Sequence, residues 1–231
     1  MGQRNLFHLF FLGLCSAALA FSQPAVSSER RANRYLEGVR RSPPLALVFL
    51  RDMPKGGDLH NHLGGAIQAE ELINFAAQDK LCLDNISLSL LPDSCDSSCD
   101  RGSKKRAVEC AYHDQDFYSS IVDAWSMRNW ERGRESGHDH FFATFLKFGP
   151  ALDNHYGEAI ADAMNQAAAD HLEYLELMHT VDGLNSAGLG ARVGWDPNFR
   201  AMREKLLSAG LRDRVREARS ELDREEQIAR K

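Results

Sequence analysis

The sequence predicts an α/β fold that opens on a strand-to-helix unit, and three observations carry that expectation. Residues 53–66, MPKGGDLHNHLGGA, read as a short strand closed off by Gly64-Gly65. Gln68 to Leu81 follows at once, with Leu72, Ile73, Phe75, Ala76 and Ala77 at helical spacing. The composition, 43% hydrophobic residues, is that of an ordinary globular chain able to bury a core. Strand, tight loop and helix form the opening unit of a β/α barrel, whose chemistry sits at the C-terminal ends of the strands.

In chain order, the sequence begins as an exported protein would. Arg4 precedes a mostly apolar stretch from Leu6 to Ala20, and Ala18-Leu19-Ala20 offers the small residues that a signal peptidase requires. The expectation is a signal peptide over 1–20, cleaved so that the mature chain starts at Phe21 and is secreted or periplasmic. A membrane anchor fits less well, because spanning takes about 20 apolar residues and this run is shorter and contains His8. Lipoprotein processing at Cys15 is opposed by Leu14, which stands where a small residue is wanted. No other stretch reads as a membrane span. A helical lead-in is expected over 21–50, and the body of the chain over 51–231.

Without the leader four cysteines remain, Cys82, Cys95, Cys99 and Cys110. In an oxidising compartment they permit two disulfides, in any of the three possible connectivities. They flank a polar segment, Pro92 to Arg106, which reads as a surface loop inserted at about 82–110 and tied at its base. A site built from all four thiolates lacks the paired Cys-x-x-Cys spacing that would favour it.

Helical periodicity then resumes. Asp114 to Glu131 carries Phe117, Ile121, Val122, Trp125 and Trp130, and Tyr156 to His171 carries Ile160, Met164, Ala167 and Ala168. After Thr180 a glycine-rich loop (Gly183, Gly188, Gly190, Gly194) leads to a helix with Asp196 as its cap and Pro197 at its first position. From Leu211 to Lys231 charge dominates at helical spacing, as on a solvated helix laid over a neighbouring strand.

Within the first strand, His60 and His62 lie two residues apart, so period-two alternation turns both imidazoles to one face and Asn61 to the other. Neutral imidazole is the commonest protein ligand for zinc, and the glycine pair would hold these two at an open loop mouth. His138-Asp139-His140 repeats the spacing without the strand and loop around it. Asp58 falls on the same alternating face and could orient one imidazole or pair with Lys55.

The stretch Met53 to Glu70 resembles the first strand of the adenosine deaminase family, most closely its secreted, growth-factor-related branch. Two further segments match in order. Residues 138–150, HDHFFATFLKFGP, resemble the helical segment over the purine pocket, and residues 172–180, LEYLELMHT, resemble the second strand. The resemblance implies a (β/α)8 TIM barrel of the metal-dependent hydrolase type with one zinc ion, removing the 6-amino group of adenosine or a related purine nucleoside as ammonia. Zinc lowers the pKa of a bound water from 15.7 toward about 7, which makes a nucleophile available at neutral pH. By the same resemblance His60 and His62 are metal ligands, and Phe141, Phe142 and Phe145 line the apolar side of the purine site.

Two departures qualify what the family implies. Its later histidines, its glutamate and its aspartate ride on strands after the second, and past Thr180 this sequence reads as helix; the expectation is a partial barrel truncated after the second strand region, with no catalytic residue before Lys231. Gly64 stands where many intracellular members place an aspartate on the ribose hydroxyl, which removes the usual 5′-hydroxyl contact and leaves room for another purine or ribose substituent.

A formal charge of −5 with no basic-aromatic interleaving argues against nucleic acid and for a small-molecule substrate. Three other classes compete with a deaminase: another amidohydrolase-type enzyme, which shares His-x-His; a non-catalytic exported protein that binds metal or nucleoside; and a non-functional remnant. The phenylalanines at 141–145 weigh against the first of these.

Overall fold

The computed structural model describes residues 27–95 and 99–231, so the expected signal peptide lies outside the described residues. The chain divides into two compact units at Met53/Pro54. In the first, α1 (Ser28–Val39) is capped by Ser27, whose hydroxyl accepts from Arg30 N at 3.3 Å. The pair Pro43-Pro44 starts α2 (Pro43–Asp52), where a missing N–H costs nothing. Tyr35 and Phe49 join the two helices, with ring centroids 5.8 Å apart.

The second unit opens on β1 (Gly56–His62), which runs parallel to β5 (Leu172–Met178). Lys55 ties their starts together: its N–H donates to His171 O at 2.9 Å and its Nζ to Asp170 O at 2.9 Å. Parallel strands need a long crossover, and here it contains most of the unit's core. First come the short α3 (Leu63–Ala66) and α4 (Ala69–Gln78). The helix expected to reach Leu81 stops at Gln78 because Lys80 takes a left-handed φ of 53°, which turns the chain into a strand.

That strand is β2 (Leu81–Asp84), the centre of an antiparallel sheet with β3 (Leu90–Ser94) and β4 (Lys105–Ala107) in the order β3-β2-β4. The cysteine-rich segment is therefore more than a tied loop. Cys82–Cys95 pins β2 to the end of β3, and Cys99–Cys110 closes the chain from before β4 to the 3₁₀ turn after it, with Cα separations of 4.9 and 5.5 Å. The pattern Leu90-Leu91-Pro92 gave little strand signal because Pro92 breaks it. Arg106 is buried against Asp114, with Nη2 2.9 Å from Oδ2, and its guanidinium lies 3.8 Å over the Phe117 ring.

Asp114 also caps α5 (Gln115–Trp125) by accepting from Phe117 N at 3.3 Å. Leu72, Ile73 and Phe75 of α4 and Ile121 and Val122 of α5 pack into one core with Leu83 of β2. α6 (Gly137–Phe148) is capped by Ser136, and α7 (Tyr156–Ala169) returns the chain to β5. Both strands of the β1–β5 pair remain largely exposed. Among the described residues the sheets hold two and three strands and close into no barrel. The α/β class stands at this coarser level.

After β5 the chain departs from expectation three times. The glycine-rich stretch folds as α8 (Asn185–Val193) rather than a loop, started by the Asp182 carboxylate accepting from Leu184 N and Ser186 N. The next helix, α9 (Phe199–Ser208), is capped by Asn198 Oδ1, which receives Arg200 N and Ala201 N; Asp196 instead accepts from Asn198 N. The charged tail forms α10 (Leu211–Ala229) and lies on α7, where Gly157 faces Ile228. Its Glu225 is 1% exposed, so this helix is not a wholly solvated one.

Candidate metal and nucleoside site

His60 and His62 stand on β1 with ring centroids 5.2 Å apart and rings inclined by 67°, both exposed. The strand carries a bulge between Asp58 and Asn61, a span that includes His60: Asp58 pairs with Leu175 and Asn61 with Leu177, so three steps on β1 match two on β5. The extra residue resets the alternation. Asp58 Oδ2 accepts from Asn61 Nδ2 at 2.8 Å and Oδ1 from His60 N at 3.3 Å, so the carboxylate braces the strand and not an imidazole ring. Lys55, the other candidate partner, reaches the Asp170 carbonyl.

Beyond His62, the buried Leu63 anchors the turn that carries Gly64 and Gly65. These glycines border a cleft of about 220 Å³ whose opposite wall is α6, through Phe141, Thr144 and Phe145, with Trp125 at its side. His60 and His62 do not line the cleft; they precede the glycine pair that does. Phe141 and Phe145 meet edge to face at 5.1 Å. Phe142 lies outside the cleft, exposed, against Phe141 at 5.2 Å and His138 at 4.8 Å. Two of the three expected aromatics thus meet the end of β1.

Sequence reasoning missed Trp125 and Thr144 as cleft residues. Trp125 sits in an apolar stripe indistinguishable from core, and its indole N–H does tie it inward, donating to Leu88 O at 2.7 Å. Thr144 is buried, and its hydroxyl donates to Phe141 O at 2.7 Å, which leaves its methyl group to pack.

The second His-x-His is occupied locally. His138 Nδ1 meets Asp139 Oδ1 at 3.1 Å, and the hydrogen bonds from His138 and then Ser136 hold the Asp139 carboxyl below its ordinary range. His140 sits between Glu135 Oε1 at 2.6 Å and Ser126 O at 2.9 Å. Among the described residues no three His, Cys, Asp or Glu side chains converge to hold a metal ion. His60 and His62 therefore fit a metal as two donors of a shell, not as a whole one.

Comparison of the chain with protein-family models, with curated proteins and with solved structures finds no match.

Proposed function

We propose that this chain carries the first metal-ligand pair and one aromatic wall of a zinc-dependent purine nucleoside deaminase, which hydrolyses adenosine or a close analogue to the 6-oxo nucleoside and ammonia. The observation that carries this reading is the convergence at the end of β1. Two exposed imidazoles lie 5.2 Å apart there, and the glycine pair that follows borders a cleft walled by Phe141 and Phe145. The parallel pairing of β1 with β5 across a helical crossover is the relation of the first two strands in a (β/α)8 barrel, and it supports the barrel part of the proposal.

Neutral His60 and His62 would hold zinc, which when bound supplies Lewis acidity and lowers the pKa of water. Phe141 and Phe145 would cover the purine face and exclude water from it. Gly64 and Gly65 carry no side chain at the cleft, which lets Leu152 and Phe145 pack closely against the backbone there. Two nitrogens make half a tetrahedral shell. Among the described residues no third donor converges on the pair to complete it.

Saturation-transfer NMR with purine riboside on the full chain, with and without zinc, tests the site directly. Transfer to the purine protons that falls several-fold in Phe145→Ala supports the reading, and no transfer in any condition overturns it. Another amidohydrolase would share the imidazole pair but has no call for the aromatic wall. Among the described residues no helix is long and apolar enough to cross a membrane.

A further inference from the structure

A second concave site, sharing no residue with the first, lies at the C-terminal end of β5 and encloses about 440 Å³. Asp153, Asp182, Glu217, Glu221 and Glu225 line it against a single guanidinium, that of Arg214. Three of these carboxylates are spoken for. Asp182 accepts from the N–H groups of Leu184 and Ser186, Glu217 pairs with Arg214 at 2.6 Å, and Glu221 pairs with Arg224. Asp153, exposed at the rim, has no cationic partner among the described residues.

Glu225 is the unusual member. It is 1% exposed; Oε1 meets His179 Nε2 at 3.1 Å, while Oε2 is buried with no hydrogen-bond partner. A buried carboxylate oxygen left bare is costly, and native structures rarely tolerate one without a water, ligand or ion to satisfy it. Tyr156 stands beside it with its ring 4.1 Å from that of His179. Burial, then the charges of Asp153 and Glu225, push the Tyr156 hydroxyl pKa up, so both carboxylates act on the same place.

The chemistry of the occupant follows from how the charge is spread. An anion would meet five carboxylates. A bare metal ion would need three donors at one point, and among the described residues none converge so. What fits is an extended cation with charges at both ends and an apolar stem to lie along Tyr156, Val181 and Ala218. We propose that the cleft binds a linear aliphatic diamine or polyamine, one ammonium taken by Glu225 and the other by Asp153.

Calorimetric titration of the full chain with putrescine, propylamine and Mg²⁺ at matched ionic strength tests this. The expected result is saturable one-to-one binding of putrescine, at least tenfold tighter than propylamine, unaffected by Mg²⁺ and weakened at least tenfold in Glu225→Gln and in Asp153→Asn. Should Glu225→Gln unfold, Asp153→Asn at the exposed rim carries the comparison alone. Absence of saturable heat, equal affinity for the monoamine, displacement by Mg²⁺, or undiminished binding in Asp153→Asn would each overturn the proposal.

Discussion

The ring of Phe145 rests against the bare α-carbon of Gly65: a Cβ built there would stand 3.3 Å from Phe145 Cζ. That distance is tighter than ordinary contact, and Phe145 is only half-buried, so the ring can give way toward solvent. Gly65→Ala is therefore expected to change stability by less than about 1 kcal/mol, within the usual range for sites away from a core. Purine binding should weaken several-fold because the added methyl group takes up cleft space and shifts the aromatic wall. Thermal melts and the NMR titration, run on the same variant, separate the two effects.

A different glycine governs stability. At Gly157 a Cβ would lie 2.6 Å from Ile228 Cβ and 3.1 Å from the Glu225 carbonyl, so α7 and α10 touch through it. Gly157→Ala should destabilise the chain by roughly 1–3 kcal/mol, the usual cost of overpacking. Adding Ile228→Gly, which removes both the Cβ and the Cγ2 that the new methyl group would meet, should recover part of that loss in denaturant melts. Additive losses in the double variant would show that the contact is not what limits the packing.

Acid should loosen the sheet built around the disulfides. The hydrogen bond from Arg106, then that from Phe117 N–H and the charge of Arg101, hold the Asp114 carboxyl below its ordinary value despite the opposing effect of burial. A carboxyl depressed in the folded state stabilises it fully above its unfolded pKa of about 3.9 and loses that contribution as pH falls through the folded value. Asp114→Asn should therefore melt lower than the parent at pH 7, and the two curves should draw together as pH falls below the unfolded carboxyl value of about 3.9 and through the lower folded one. A gap that stays constant from pH 7 down through acid would contradict the assignment.

Peptide mapping under non-reducing conditions should find Cys82 joined to Cys95 and Cys99 to Cys110. Each closes a short loop, and losing a disulfide of this kind typically costs about 2–4 kcal/mol. Reduction should therefore lower the melting temperature well before β1 or β5 is affected, as followed by hydrogen exchange in the two sheets.

What the sequence made legible was local and periodic. The helical spacing of Leu72 to Ala77 and of Phe117 to Trp125 marked α4 and α5, because one face of each had to meet the core. The closeness of His60 and His62 followed from their spacing of two, and their rings lie 5.2 Å apart. Strict alternation failed between Asp58 and Asn61, since a bulge depends on the register of the partner strand and leaves no mark in the strand that carries it. The burial of Glu225 was equally hidden: a carboxylate in a charged helix reads as solvated until α7 and His179 are brought against it. The glycines of α8 read as loop because their propensity is poor, and Asp182, upstream of the helix, supplied the start that composition lacked.

Whether His60 and His62 hold a metal ion is decided by the zinc affinity of the imidazole pair. Zinc should be titrated into the full chain against a chromophoric chelator, and into the double variant His60→Ala, His62→Ala. Two neutral imidazoles predict a single weak site, stripped easily by excess chelator and absent from the double variant, together with no turnover of adenosine by this chain alone. Stoichiometric zinc that survives the chelator, or a site that persists without His60 and His62, would contradict the account.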